Sequence, residues 1–456
     1  MSTQSIEAAA ERLIAKAGFS GDLSYAVIDT ANGERIAGRN AKTPMPPAST
    51  AKAITAAYAL EYLGSDYRFT TSVMGTGALR DGRLEGDLVL AGGGDPLFDT
   101  SDMGGLIQKL RTLGLSEVTG RFLIWDAALP YVEEIVPSQP DHLGYNPAVS
   151  GLNLNFNRVY FQWRKQGGGY VLTMDARDGD LIPQVALATM SLSDRRAPVF
   201  QVSLDRSKGR EHWSVAQSAL GASGSRWLPV RNTKGYAAEV FSTLAAQAGI
   251  ALPAPVYVRN IPNGAVPLAS HLSAPMDTIV RSMLRYSTNI TAEVVGLTAS
   301  KARSSRMPTG LENSAHQMNQ WAKGIGMGGT QFVDHSGLSD ASRVTAQDMA
   351  QALARLGHNG PLRPLLRQIT LKTKSGAPEP FGLQAKTGTL NFVSALTGHI
   401  ERPGKSPLVF AVMTADLNRR NAIPKGQEDR PPGATGWARR SRSLQWDLVR
   451  LWAKSA

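Results

Sequence analysis

The sequence predicts an α/β protein of the α+β kind. One antiparallel sheet with flanking helices is built from both ends of the chain, and a mostly-β segment is inserted between them. Three observations predict this. Residues 22–39, DLSYAVIDTANGERIAGR, hold two alternating runs around Asn32-Gly33, a strong hairpin signal. Near the other end, FGLQAKTGTL, SALTGHIE and PLVFAVMTADL read as strands joined by short turns, with Pro403-Gly404 at one turn. From about residue 67 to 262 the texture changes to short strands broken by Gly, Asp and Pro. The length, 456 residues, exceeds one compact core, so two or three domains are expected.

In chain order, the opening MSTQSIEAAAERLIAKAG reads as an amphipathic helix. It has no apolar signal-peptide core, so the chain as written carries no secretory signal. The hairpin follows. PPASTAKAITAAYALEYLG then enters an apolar helix after Pro46-Pro47 and stops at Gly64. The inserted strands include TTSVMGTGALRDGRLEGDLVLAGGGDPLF, GLNLNFNRVYFQWR and GGGYVLTMDAR. Helical patterns return from about Val266: MDTIVRSMLRY, NITAEVVGLTASKA, GLENSAHQMNQWAKGIG and TAQDMAQALARLG. After the late strands a last helix, about 442–453, would pack Leu444, Leu448, Leu451 and Trp452 on the sheet.

Composition removes several classes. Hydrophobic residues make up 42% and charged residues 19%, as in a folded globular protein, and no apolar run is long enough to span a bilayer. The absence of cysteine rules out disulfides, thiolate metal sites and a cysteine nucleophile. The seven histidines show no metal-ligand spacing, and no metal or cofactor is expected. The net charge of +12 favours polyanionic partners, but no nucleic-acid motif accompanies it. Gly92-Gly93-Gly94-Asp95 lacks the Lys-Ser/Thr of a phosphate loop and reads as a turn. The basic tail GWARRSRSLQWDLVRLWAK offers a peripheral contact with membrane or wall, with docking of its apolar face on the core as the stronger reading.

Three short constellations carry chemistry. Ser49 and Lys52, the chain's one Ser-x-x-Lys, share a face at the start of an apolar helix. A serine is a poor nucleophile until a base takes its proton, and burial can lower a lysine enough to serve. The competing reading is a helix cap with an exposed lysine. Ser287 and Asn289, in RYSTNITAEV, sit between two helical patterns, where a hydroxyl can relay a proton and an amide can bind substrate or lysine. Capping of the next helix is the competing use. Lys386-Thr387-Gly388-Thr389 lies on a strand: the lysine adds charge for a carboxylate, and Gly388 admits a close approach. Lys374-Ser375-Gly376 is a rival, but Ala-Pro-Glu-Pro follows it and reads as a turn. Asp334-His335-Ser336 is not a triad, since adjacent residues point apart; Ser336-Gly337 reads as a turn near the site.

In this order SxxK, SxN and KTG resemble the serine acyltransferases acting on D-alanyl-D-alanine, the penicillin-binding proteins and serine β-lactamases. The long insertion between Ser49 and Ser287, with LVLAGGGDPLF, GLNLNFN, DHSGLS and AKTGTL, is similar to the low-molecular-mass class C penicillin-binding proteins, the D-alanyl-D-alanine carboxypeptidase/endopeptidase family. The resemblance covers nearly the whole chain. It implies a transpeptidase-like catalytic domain over 1–66 and 263–456, an inserted domain over 67–92 and 156–262, and another over 93–155. It implies Ser49 as the acylated nucleophile, Lys52 as its base, and Ser287 and Asn289 lining the site and passing protons. Lys386 and Thr387 would hold the terminal carboxylate, Gly388 would border the substrate, and the N–H groups of Ser49 and Thr389 would form the oxyanion hole. The implied substrate is a peptidoglycan stem peptide or cross-link, with β-lactams as covalent inhibitors, in the periplasm or envelope. No counterpart of the deacylating glutamate of class A β-lactamases is evident, which points to slow β-lactam turnover. The alternatives are a β-lactamase or esterase on the same scaffold and a non-catalytic wall-binding protein.

Overall fold

The computed structural model describes residues 3–429 and 431–455. The chain divides into two compact units: residues 1–66 with 276–456, and residues 67–275.

The first unit is centred on a six-stranded sheet. Its order is Arg367–Gln368, Gly382–Leu390, Val393–Glu401, Leu408–Ala415, Asp22–Asp29 and Arg35–Arg39, antiparallel throughout. The two ends of the chain meet in the pairing of Asp22 with Ala415 through Asp29 with Leu408. Gly21 makes the close entry possible: at φ +100° a Cβ there would lie 2.4 Å from the Ala415 carbonyl oxygen. Both faces of the sheet are covered, so Leu408–Ala415 is buried at every position instead of alternating.

One face packs against helices Thr3–Ala17 and Ala434–Lys454. Leu444, Leu448 and Trp452 reach the core as the sequence periodicity predicts, and the Trp452 ring lies 5.3 Å from Tyr25 and 5.6 Å from Phe410. Each such burial contributes about 2–3 kcal/mol. Helix Ala346–Leu356 packs against strands Leu408–Ala415 and Asp22–Asp29. Helix Ala51–Leu63 lies against helix Asn289–Ser304, with Met276–Tyr286 and Leu311–Gly324 beside it. Ala53, Ala56, Ala57 and Ala59 keep that helix slim, and it is buried from Ala51 through Leu60. An all-round apolar helix is what a central helix requires.

The second unit contains a five-stranded sheet ordered Pro255–Tyr257, Phe122–Trp125, Leu88–Ala91, Thr70–Gly75 and Val266–Leu272, and three three-stranded sheets. Helices Thr100–Thr112 and Thr233–Gln247 interrupt the mostly-β texture. Two boundaries differ from the sequence expectation. Val266–Leu272 is a strand paired with Thr70–Gly75, so residues 263–275 join the second unit and the helices resume only at Met276. Residues 93–155 supply Phe98, Leu106, Phe122 and Leu152 to the same buried cluster as Val73, Leu90, Phe241 and Ala269. The shared five-stranded sheet is the physical reason: it takes strands from both sides of those limits. No helix among the described residues is long and apolar enough to cross a membrane.

Candidate active site

The site is built at the start of helix Ala51–Leu63. A short 3-10 turn, Ala48–Thr50, precedes the helix, and Ala48 adopts φ +47°, a left-handed conformation rare for alanine. The turn brings Ser49 out of the helix proper, half-buried, while Lys52 one turn later is fully buried. The capping alternative does not describe this serine: no side-chain cap bond forms at either N-terminus, and Ser49 Oγ instead accepts from Lys52 Nζ at 2.9 Å.

Lys52 Nζ has two further partners, Asn289 Oδ1 at 2.7 Å and the Ser336 carbonyl at 2.8 Å. These two are pure acceptors, whereas a serine hydroxyl both donates and accepts. In the neutral amine two N–H groups go to Asn289 and Ser336, and the lone pair faces Ser49 Oγ. Burial lowers Lys52 from the usual lysine range to about 7, with Asp334 and Glu293 opposing the shift. A lysine so placed is half neutral near physiological pH and bonded to the hydroxyl it would deprotonate.

Ser287 lies between helices Met276–Tyr286 and Asn289–Ser304 at φ +60°, a second left-handed non-glycine residue. Thr288 is the N-cap, so neither Ser287 nor Asn289 caps the helix. Lys386 Nζ donates to Ser287 Oγ at 3.0 Å and to the Thr387 carbonyl at 2.7 Å. Lys386 is 2% exposed and is pushed well below the lysine range, first by burial, then by the charges of Lys52 and Arg367. An incoming carboxylate would reverse that shift by supplying the missing countercharge.

The strand Gly382–Leu390 presents Thr387 and Thr389 to solvent and buries Lys386 and Gly388. Gly388 abuts the serine turn: a Cβ there would lie 2.9 Å from both Ser49 N and the Pro47 carbonyl oxygen. Strand Arg367–Gln368 pairs only with Ala385 and Gln384, leaving the edge from Lys386 onward unpaired among the described residues. Such an edge can take an extended peptide as an added strand. All of Ser49, Lys52, Ser287, Asn289, Lys386 and Gly388 thus meet around one serine, with Thr387 and Thr389 on the rim.

Sequence reasoning did not single out Glu293, and it read Ser336-Gly337 only as a turn. Glu293 is fully buried, and its carboxyl accepts from the N–H groups of His335 at 3.0 Å and Ser336 at 2.9 Å. Asp334 accepts from Gly337 and Ser339 N–H at 2.8 and 2.7 Å. His335 points away from Ser49: its Nε2 is 2.7 Å from Ser314 Oγ, its ring packs where Gly296 has no side chain, and burial drops it to about 3. A Ser-His-Asp triad is therefore not formed. The signal for Glu293 was its being the one acidic residue of its helix, four positions after Asn289.

Comparisons with known proteins give the family and the fold. The family model described as D-Ala-D-Ala carboxypeptidase 3 (S13) matches residues 6–430. A D-alanyl-D-alanine carboxypeptidase of Actinomadura sp. (strain R39) is 25% identical over 419 residues, covering 85% of this chain and 76% of its own length. The D-alanyl-D-alanine carboxypeptidase DacB of Haemophilus influenzae is 24% identical, covering 82% and 81%. The solved structure of penicillin binding protein 4 from Haemophilus influenzae superposes with a TM-score of 0.75 at 21% identity, over 96% of this chain and 99% of that one. The architecture is thus a penicillin-binding-protein/β-lactamase-like fold with an inserted part, and the chain belongs to the D-Ala-D-Ala carboxypeptidase 3 (S13) family.

Proposed function

We propose that this protein is a serine D-alanyl-D-alanine carboxypeptidase acting on peptidoglycan stem peptides through an acyl-enzyme on Ser49. The observation that carries the assignment is the lysine amine, buried and lowered to about 7, bonded to Ser49 Oγ at 2.9 Å with its other two partners fixed acceptors. Ser49 Oγ attacks the carbonyl carbon of the penultimate D-alanine, and its proton passes to Lys52 Nζ. The peptide C–N bond then breaks, and the departing amine of the terminal D-alanine takes a proton relayed from Lys52 through Ser287. Water attacks the resulting ester and gives one proton to Lys52; the bond from the acyl carbon to Ser49 Oγ then breaks, Lys52 passes that proton to Ser49 Oγ, and the shortened peptide leaves with a free carboxyl group.

Lys386 and Thr387 hold the terminal carboxylate, and the open edge of Gly382–Leu390 aligns the peptide backbone. The N–H groups of Ser49 and Thr389 take the charge on the tetrahedral oxygen; losing one such donor typically costs about 10²–10³ in kcat. An endopeptidase cut of a D-alanyl cross-link follows the same steps with a side-chain amine leaving. The substrate places the enzyme in the periplasm or cell envelope. β-Lactams enter the same step and stay. Glu293 has both carboxyl oxygens engaged by backbone N–H groups and is not free to activate a deacylating water, which favours a long-lived adduct over a β-lactamase.

The test is release of D-alanine from an N-acylated peptide ending in D-Ala-D-Ala, beside the same peptide ending in L-Ala-L-Ala. Release from the first alone is expected. No release from either, at enzyme concentrations that allow many turnovers, would overturn the assignment.

A further inference from the structure

The open edge of strand Gly382–Leu390 has a direction. In the reaction proposed above, Thr389 N–H meets the scissile oxygen, and Lys386 with Thr387 meets the terminal carboxylate. A bound peptide then runs antiparallel to the strand, its C-terminus toward Ala385. There the edge closes. Arg367 and Gln368 pair with Ala385 and Gln384, and Ile369 N–H continues the ladder to the Leu383 carbonyl at 2.8 Å. Arg367 is thus the first residue to cover the edge, and the residue after the scissile bond ends against it. The 3-10 turn Arg363–Leu365 just before it is tied to helix Met276–Tyr286, the helix that leads into Ser287, because Arg281 donates to the Pro364 carbonyl at 2.8 Å.

Opposite residues of an antiparallel pair share a face of the sheet, and so do alternate residues of one strand. Arg367 is opposite Ala385, so it shares a face with Ala385 and Thr387. Ala385 is buried there in the core under the terminal helices, whereas Arg367 and Thr387 lie at its margin, in solvent. As diagonal neighbours they stand about 7–8 Å apart, within reach of a long side chain. Lys386 comes to the same place from the other face, its amine bonded to Ser287 Oγ and the Thr387 carbonyl. Beyond burial, the charges acting on that amine are those of Lys52 and Arg367, both positive, with no acidic residue to offset them. We propose that Arg367 is a specificity-determining residue for the residue after the scissile bond: its guanidinium draws in the carboxylate held by Lys386 and Thr387 and favours an acidic over a basic side chain at that position. The inference rests on the reading of Ser49 as nucleophile and on the peptide direction it sets.

The experiment measures release of the last residue from three N-acylated peptides, ending in D-Ala-D-Ala, D-Ala-D-Glu and D-Ala-D-Lys. The enzymes are the wild type, Arg367→Gln, Arg367→Lys and Arg367→Glu, with a thermal midpoint for each. At low salt the wild type is expected to favour D-Glu over D-Lys about tenfold in kcat/KM, the scale of two exposed charge contacts of opposite sign. Arg367→Gln brings that ratio to within about twofold. It also raises KM for D-Ala-D-Ala about three- to fivefold with kcat unchanged, because only binding is lost. Arg367→Lys keeps the preference and Arg367→Glu reverses it. About 0.5 M NaCl screens an exposed charge and narrows the wild-type ratio. A wild type without the preference would overturn the inference, as would a Gln variant that keeps it or that loses activity equally on all three peptides. Should the Gln variant not fold, the Lys and Glu variants decide, and the same preference in both would overturn it. Failure here is distinct from failure of the assignment itself, in which the wild type would release the last residue from none of the three peptides.

Discussion

Gly337→Ala is the substitution whose cost can be worked most directly from the structure. Gly337 sits at φ +71°, and a Cβ there would lie 1.9 Å from the Ala48 carbonyl oxygen, 2.6 Å from its carbon and 3.0 Å from Ala51 Cβ. An ordinary C···O contact is about 3.3 Å or more, so one backbone must retreat by over an ångström. Neither neighbour is a flexible side-chain tip. The left-handed conformation adds about 1–2 kcal/mol for alanine and the overpacking about 1–3 kcal/mol, so roughly 2–5 kcal/mol of stability is lost from the first unit. The displaced group is the carbonyl of Ala48, directly before Ser49 and itself held at φ +47°. A displacement near an ångström at a nucleophile costs about 10²-fold in rate. The assays are a thermal unfolding scan and the rate of acylation by a fluorescent penicillin at pH 7.5. A variant with the wild-type midpoint and an acylation rate within about twofold would refute the reasoning that the 334–337 turn buttresses the serine turn.

Two further outcomes follow from the lysines. Lys52 is brought to about 7 by burial, so its neutral fraction falls about tenfold per pH unit below that value; acylation at pH 5 is expected at about one hundredth of its plateau, and a flat profile from pH 5 to 7 would exclude it as the base. Lys386→Met removes the countercharge for the substrate's terminus, so kcat/KM for a D-Ala-D-Ala peptide should fall about 10²–10³-fold. The same peptide amidated at its C-terminus should lose far less, and an equal loss on both would place Lys386 elsewhere in the reaction.

Much of this was legible in the sequence, for identifiable reasons. The hairpin at Asn32-Gly33 and the late meander announce themselves by alternation and turn residues, and their pairing across the chain follows from both needing partners. Lys52, Asn289 and Lys386 were legible because their spacing from serines and glycines is local. The joining of residues 263–275 to the second unit was not. Val266–Leu272 carries little alternation, and only its pairing with Thr70–Gly75 reveals it. The third acceptor for Lys52 is a backbone carbonyl, that of Ser336, and no side chain advertises a backbone group. Glu293 was hidden differently. A lone glutamate in a helix reads as solvated surface until packing shows it fully buried.

The central claim is that Ser49 becomes covalently acylated. The most direct measurement is the intact mass of the wild type and of Ser49→Ala after incubation with benzylpenicillin, with peptide mapping of any adduct. One lasting adduct is expected on the wild type, mapped to Ser49 and absent from the variant. An adduct that persists in Ser49→Ala, or a wild type that neither gains mass nor consumes the drug, would contradict it.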